Sequence, residues 1–219
     1  MNRTADVVIV GAGVIGSATA FELAKRGYKT LNIDKLPASG YGSTSNSCAI
    51  VRAHYSTWDG VAMAYEGFFY WDDWNKYLEV EDERGMAKYM KTGSIMFMLK
   101  GADHSKKSLN LFKEIGVEHE IWDLETLKKK MPIYSHDSYN GTSRPDEDDS
   151  FFDKSGDQIE GAVWTPGSGY VSDPQLATHN LQVATEAKGG EFLFDAEITE
   201  IRQSNGQIQG VTLKSGEQI

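Results

Sequence analysis

The sequence predicts an α/β protein built on a parallel sheet with helices packed against it. An unbroken apolar run, Val7–Val10, is typical of a strand buried on both faces, as parallel strands are. Apolar residues at helical spacing begin at Val14, and Gly27 is placed to end that helix. A second short strand, Thr30–Ile33, then completes a strand–helix–strand unit within about 30 residues.

A glycine turn joins the first strand to the helix, with Gly11, Gly13 and Gly16 in the spacing G-x-G-x-x-G. The first glycine permits the tight turn, the second lets a pyrophosphate approach the backbone, and the third lets the helix pack closely on the sheet. The helix N-terminus attracts phosphate, and Asp34 follows at a distance suited to a ribose hydroxyl. These features predict a dinucleotide site. The alternative is a βαβ unit that binds nothing.

Composition excludes several classes of protein. The chain has 219 residues, a net charge of −10 and a hydrophobic content of 40%, enough for one large or two small domains. Since no basic run exceeds Lys128, Lys129 and Lys130, we expect no nucleic-acid binding. The single cysteine, Cys48, fits a reducing compartment. Neither a membrane span nor a signal peptide is evident, so we expect a cytoplasmic protein.

The chain after Asp34 alternates loops with regular elements. Residues 36–47 predict a loop whose hydroxyls and N–H groups suit a ribose or a pyrophosphate, although an ordinary solvated loop has the same composition. Residues 59–78 predict one long helix with an apolar stripe that belongs to a core. Further strands are expected at 94–99, 118–122, 191–195, 197–202 and 207–214, and further helices at 104–115, 124–130 and 174–188.

Residues 135–157 show almost no periodicity and carry Asp146, Glu147, Asp148, Asp149 and Asp153. This segment is interpreted as an exposed acidic insertion, and a solvated loop is favoured over a metal site. No metal site is predicted elsewhere. The chain is expected to be incomplete.

Three stretches resemble one known family. They are VIVGAGVIGSATAFELAKRG with NIDK, SNSCAIVRAHYS at 45–56, and the run from GAVWTPGSGYVSDP to ITEI at 161–201. Together they resemble the FAD-dependent amine and amino-acid oxidoreductases of the D-amino-acid-oxidase superfamily, in particular the sarcosine oxidase β-subunit and dimethylglycine dehydrogenase. The resemblance implies a Rossmann-like FAD-binding domain with part of an interleaved α+β substrate domain. It implies that residues 1–88 and 161–219 form two parts of the FAD-binding domain, and that residues 89–160 belong to the substrate domain.

The resemblance also implies roles for individual residues. The glycines and Asp34 would hold the ADP half of FAD, Ser47 and Cys48 would lie near the flavin, and a backbone group of Ile198 would contact adenine. Arg52 would bind a substrate carboxylate, for which a guanidinium is suited, and Tyr55 would line the pocket. A structural salt bridge is the alternative for Arg52. The implied FAD contacts are Gly11, Gly13, Gly16, Asp34, Lys35, Gly42, Ser43, Ser47, Cys48 and Ile198.

Three positions depart from members of the family. Ala49 replaces an arginine of monomeric sarcosine oxidase, and Asn46 replaces the flavin-linked histidine of dimethylglycine dehydrogenase. Ser172 stands where the sarcosine oxidase β-subunit has an FMN-linked histidine. Non-covalent FAD is therefore expected, without attachment through Cys48.

The function implied by the resemblance is oxidation of the C–N bond of a small secondary or tertiary amino acid, with hydride transfer to flavin N5. No general base is evident, and His54 is not expected to be catalytic. One alternative is an incomplete subunit, inactive alone and completed by a second polypeptide. Another is an NAD-dependent dehydrogenase, against which the stretch at 45–56 argues.

Overall fold

The computed structural model describes residues 3–101, 103–139 and 144–219. In chain order the elements are β1 (Val7–Val10), α1 (Val14–Lys25), β2 (Thr30–Ile33), β3 (Ile50–Val51), α2 (Trp58–Asp72), α3 (Trp74–Leu78), β4 (Tyr89–Met90), β5 (Ser94–Met98), α4 (Asp103–Ile115), β6 (Glu120–Asp123), α5 (Leu124–Lys130), β7 (Asp137–Tyr139), β8 (Lys154–Gln158), β9 (Gly161–Thr165), β10 (Gly169–Val171), α6 (Pro174–Ala187), β11 (Glu191–Leu193), β12 (Ile198–Ser204) and β13 (Gln207–Leu213).

The chain divides into two interleaved compact units. The first unit comprises residues 1–50, 70–90 and 170–219, and the second comprises residues 51–69 and 91–169. Each unit is therefore assembled from stretches that are distant in sequence.

The first unit is built on a parallel sheet of order β1-β2-β11, in which β2 is the central strand. All four residues of β2 are buried. Leu31 and Ile33 pack in a core with Val211 and Leu213 of the β12–β13 hairpin. Because strand side chains alternate, Thr30 and Asn32 of β2 face the opposite side of the sheet, where α1 and α6 lie.

Local chemistry sets the ends of α6 and of the hairpin. The Asp173 carboxylate accepts hydrogen bonds from the backbone N–H groups of Gln175 and Leu176, both at 2.9 Å, and Pro174 occupies the first turn. Asn205 and Gly206 have φ values of 52° and 75°, the left-handed conformation that a two-residue hairpin turn requires. The sequence predicted both features.

The second unit contains an antiparallel sheet of order β5-β9-β6. Val163 of β9 packs with Phe112 of α4 and with Phe68 of α2 on one face. Trp122 packs with Leu127 of α5 in a second core cluster. The central strand β9 is almost fully buried because both faces of this sheet are covered.

Two predictions about regular elements were wrong. The single helix at 59–78 is interrupted at Asp73, whose φ of −127° and ψ of 50° are not helical, so that α2 and α3 are separate. Residues 135–157 contain β7 and β8, which pair antiparallel, with a Lys154–Asp137 ion pair at 2.6 Å. Every residue of β8 is exposed, so no apolar alternation marks it. Residues 140–143 of this segment lie outside the described residues.

The apolar stripe of α2 and α3 contributes to the core as predicted. Val61 and Leu78 are fully buried, and Phe68 and Trp74 are nearly so.

Candidate functional site

The glycine turn forms between β1 and α1 as the spacing predicts. Gly11 has φ = 102°, which only glycine adopts readily, and no atom of the described residues lies within 4 Å of the position that a Cβ would occupy. A Cβ on Gly16 would lie 2.2 Å from the carbonyl oxygen of Gly11. The third glycine therefore permits the close approach of α1 to the turn.

Asp34 holds the glycine turn directly. Its Oδ2 accepts the backbone N–H of Ala12 at 2.7 Å, and its Oδ1 accepts the N–H of Leu36 at 2.9 Å. Each carboxylate oxygen has a further lone pair available for a ribose hydroxyl. The Asp34 carboxylate is thus placed to bind a nucleotide and also holds the glycine turn through Ala12, a contact that was not predicted from the sequence.

The loop after β2 folds back onto the glycine turn. The Gly40 N–H donates to the carbonyl of Ala12 at 2.8 Å, and the Thr44 hydroxyl accepts the N–H of Val14 at 3.1 Å. A Cβ on Gly13 would lie 3.2 Å from that hydroxyl oxygen. Thr44 therefore supplies an acceptor at the N-terminus of α1, where the first N–H groups have no partner within the helix itself. The composition of this loop predicted a nucleotide contact but did not single out Thr44.

Gly42, Ser43, Ser47 and Cys48 lie on the same loop. The Gly42 carbonyl accepts hydrogen bonds from the side chains of Ser45 and Asn46 at 3.1 and 3.0 Å. Ser43, Ser47 and Cys48 are exposed. The Ser47 hydroxyl accepts the N–H of Ala49, which has a positive φ of 51°.

Lys35 and Ile198 occupy different surroundings. Lys35 and Leu36 line a cavity of 660 Å³ together with residues 193–197, the last residue of β13, and residues 214, 215 and 217. Ile198 is not among the residues that line this cavity and packs instead against the core of the β12–β13 hairpin. Lys214 and Glu197, which both line the cavity, form an ion pair at 2.7 Å.

The two predicted substrate residues belong to the second unit. The Arg52 guanidinium lies over the ring of Tyr55, 5.2 Å from its centroid, and its Nη1 donates to the carbonyl of His54 at 2.6 Å. Both side chains are exposed. Among the residues that the structure describes, no carboxylate lies within ion-pair distance of Arg52, so the salt-bridge alternative gains no support. Four N–H donors of the guanidinium remain for an incoming carboxylate.

His54 anchors this segment. Its Nε2 lies 2.8 Å from the Thr165 hydroxyl, and its ring packs against Phe112 with the centroids 5.5 Å apart. Burial, together with the positive charges of Arg52 and His104, lowers the pKa of His54 to about 4. A neutral, buried imidazole thus fixes the backbone carbonyl that Arg52 contacts.

Two classes of site are absent from the described ranges. Within residues 3–101, 103–139 and 144–219, no group of three or more His, Cys, Asp or Glu side chains could hold a metal ion. In the same ranges, no helix has the length and apolar character needed to span a bilayer.

Sequence reasoning missed two polar residues that contact the glycine turn, Thr44 and Asn32. The second was detectable, because an asparagine within a buried strand interrupts an otherwise suitable pattern. Thr44 could not be singled out, since hydroxyl residues fill its loop and only the tertiary fold selects one.

The fold and the glycine turn define the class of protein, an α/β dinucleotide-binding protein. The residues fit the ADP part of a cofactor, because Gly11 and Gly13 carry no side chain and the turn leads into the N-terminus of a helix. The chain belongs to the FAD-dependent oxidoreductase family, whose pattern it matches over residues 6–219. The prediction of FAD as the cofactor is confirmed.

Individual relatives agree with this assignment. The chain is 26% identical to monomeric sarcosine oxidase of Streptomyces avermitilis, over 91% of this chain and 45% of that protein. It is 25% identical to D-amino acid dehydrogenase of Rhodopseudomonas palustris, over 96% of this chain and 56% of the relative. The chain spans about half the length of these relatives.

A solved structure supports the fold. The L-proline dehydrogenase from P. horikoshii superposes with a TM-score of 0.76 at 22% identity, covering 99% of this chain and 50% of that one. The predicted fold class, a Rossmann-like domain with part of an interleaved substrate domain, is confirmed.

Proposed function

We propose that the whole enzyme oxidises the C–N bond of a small secondary or tertiary amino acid of the sarcosine or dimethylglycine kind. The observation that carries this proposal is the exposed Arg52 guanidinium, which has no carboxylate partner in the described part of the chain. A planar guanidinium with free donors suits the carboxylate of an amino acid. The similarity to a sarcosine oxidase supports this substrate class.

Arg52 and Tyr55 would act as a binding pair. The guanidinium would take the substrate carboxylate, and the aromatic ring beneath it would restrict its orientation. Bound FAD would supply the hydride acceptor, flavin N5. The contribution of these two side chains would be to fix the amine in one orientation, which lowers the entropic part of the barrier.

The remaining predicted residues would hold FAD without a covalent bond. Gly11, Gly13, Gly16 and Asp34 would contact the ADP half, in line with the geometry of the turn. Ser47 and Cys48 would lie towards the flavin. Residues 1–88 and 161–219 would contribute the FAD-binding domain, and residues 89–160 the substrate domain. The other proposed FAD contacts are Lys35, Gly42, Ser43 and Ile198.

The first experiment is a visible absorption spectrum of the purified chain after incubation with FAD and removal of excess. A flavin band that moves to the supernatant on acid precipitation would support non-covalent binding. A colourless chain would contradict FAD binding by these residues, and a band that stays in the pellet would contradict non-covalent attachment.

The substrate class is tested by anaerobic bleaching of the flavin band with sarcosine, dimethylglycine and glycine. Replacement of Arg52 by Gln should raise the half-saturating amine concentration on the order of tenfold to hundredfold, because a charge-assisted hydrogen bond is worth about 1.5 to 3 kcal/mol. The exposed Arg84 provides the control, since Arg84→Gln should change nothing. If the two substitutions change the half-saturating amine concentration equally, Arg52 does not bind the substrate carboxylate.

A second proposal concerns assembly, in which a second polypeptide completes the fold. It is supported by the position of β1 at the edge of its sheet and by the 64% exposure of Val10. Intact mass and co-purification from the source cells test it. A single polypeptide with a mass substantially greater than 24.3 kDa would contradict the proposal of a second polypeptide.

We also propose a cytoplasmic location, supported by the single exposed cysteine, Cys48. Cell fractionation with an antibody to this chain tests that location, and recovery in an oxidising compartment would contradict it.

A further inference from the structure

Asn32 places an amide where a parallel sheet normally has an apolar side chain. It lies in β2, the central strand, and is 0% exposed. Burial of an amide has a free-energy cost unless its polar atoms find partners. The contacts of Asn32 therefore indicate what this side chain does.

The side chain of Asn32 bonds the glycine turn. Its Nδ2 donates to the carbonyl oxygen of Gly11 at 3.2 Å. The Oδ2 of Asp34 accepts the N–H of Ala12 at 2.7 Å. That carbonyl and that N–H belong to one peptide group, so two side chains of the same strand region hold its opposite ends.

The backbone of β2 completes this arrangement, because the carbonyl of Ile33 accepts the N–H of Gly11 at 2.8 Å. The three consecutive residues Asn32, Ile33 and Asp34 thus fix Gly11 and the peptide that follows it. Glycine has more accessible backbone conformations than any other residue, so without these hydrogen bonds the peptide after Gly11 would be free to rotate. Its orientation determines where the next N–H groups point.

A purely stabilising role does not explain the asparagine. Its Oδ1 is buried and has no hydrogen-bond partner among the residues that the structure describes. An apolar side chain would avoid that cost. Thr30, two residues earlier on the same face of β2, provides an internal comparison. Its buried hydroxyl also lacks a partner in the described residues, so that no hydrogen bond joins its side chain to the glycine turn there.

We propose that Asn32 is a positioning residue for FAD, which fixes the peptide between Gly11 and Ala12 before the cofactor binds. The effect of Asn32 on FAD binding rests on the proposed cofactor site. Its effect on the order of the glycine turn is independent of that proposal. Asn32 would act through the turn and would not touch the cofactor.

The test compares Asn32→Leu and Asn32→Val with the control Thr30→Val in the full chain without cofactor. Amide hydrogen exchange at residues 11–14 should become about fivefold faster in both Asn32 variants, the change expected for one hydrogen bond worth about 1 kcal/mol. It should stay unchanged in Thr30→Val. Urea unfolding should show little or no loss of stability in Asn32→Leu, whereas a merely structural role predicts a clear loss.

Titration with FAD, followed by flavin fluorescence, is the second measurement. The Asn32 variants should bind FAD about fivefold more weakly, whereas Thr30→Val should bind it normally, because one hydrogen bond worth about 1 kcal/mol is at stake. If the wild-type chain binds no FAD, the proposed cofactor function fails, while the exchange measurement still decides the role of Asn32. Unchanged exchange in the Asn32 variants would overturn the proposal. Unfolding of both variants while Thr30→Val folds would also overturn it.

Discussion

Gly16 is the residue at which the packing of α1 is most sensitive to a single added carbon. A Cβ there would lie 2.2 Å from a backbone oxygen, which cannot move aside as a flexible side chain can. We expect Gly16→Ala to lower the free energy of unfolding by about 1 to 3 kcal/mol and to weaken FAD binding. Urea denaturation measures the first effect.

Gly67 provides the control for this substitution. It lies within α2, and in the described part of the chain no atom outside the helix's own backbone is within 4 Å of the position that a Cβ would occupy. Gly67→Ala should therefore raise the free energy of unfolding by about 0.5 to 1 kcal/mol, because alanine is the better helix former. A loss of stability in Gly67→Ala as large as that in Gly16→Ala would contradict the assignment of the clash.

His54 predicts a pH dependence of stability. Its pKa is lowered from 6.5 to about 4, chiefly by burial and then by the charges of Arg52 and His104. Because the unfolded chain binds this proton more readily, the contribution to stability is complete above pH 6.5 and is lost as the pH falls towards 4. We expect a loss of about 1 to 2 kcal/mol between pH 7 and pH 5, after allowance for partial solvent screening.

Urea unfolding at several pH values measures this loss. His54→Gln keeps a polar side chain that does not titrate, so its stability should vary less between pH 7 and pH 5 than that of the wild type. The same pH dependence in both proteins would show that other groups cause it.

At the scale of elements, one buried asparagine fixes the segment that follows α3 onto α6. Asn180 accepts hydrogen bonds from the Trp74 indole and the Ala87 N–H, and donates to Asp82 and the Gly85 carbonyl. All four positions of its amide are satisfied. Asn180→Leu should therefore cost about 3 kcal/mol or more, since several buried groups would lose partners.

The same substitution at Asn32 should have little or no cost in stability, because one end of that amide is already unsatisfied in the described part of the chain. Thermal or urea unfolding of the two leucine variants compares them directly. Equal destabilisation would show that both asparagines are simply structural.

The elements that could be predicted were those with local signals. The βαβ unit was predicted because its apolar runs, glycines and acid agree. The α6 cap was predicted because Asp173 precedes Pro174, a pattern with a direct physical meaning. The break at Asp73 was missed because neither glycine nor proline stands there to mark it. The strand β8 was missed because all of its residues are exposed, so that no apolar alternation marks it.

The candidate site was predictable to a similar extent. The glycines and Asp34 follow from spacing, but the bonds from Thr44 and Asn32 to the turn depend on how the chain folds back on itself. The roles of Arg52 and Tyr55 came from family resemblance, and no periodicity in the sequence indicates them.

At the scale of the whole molecule, interleaving limits how the chain can be divided. The first unit draws on three separate stretches and the second on two. A continuous segment cut from the sequence would therefore contain an incomplete core. Deletions are best designed inside surface segments such as the β7–β8 hairpin, where every residue of β8 is exposed.

The edge position of β1 has a practical consequence for handling the protein. Its outer backbone groups and the 64% exposed side chain of Val10 form a template on which strands of other molecules can add. Despite its net charge of −10, the chain should therefore precipitate on concentration, and Val10→Lys should delay this. Static light scattering against protein concentration would show the difference. The wild-type protein should be stored dilute and at low ionic strength, because salt screens the repulsion between its negatively charged molecules.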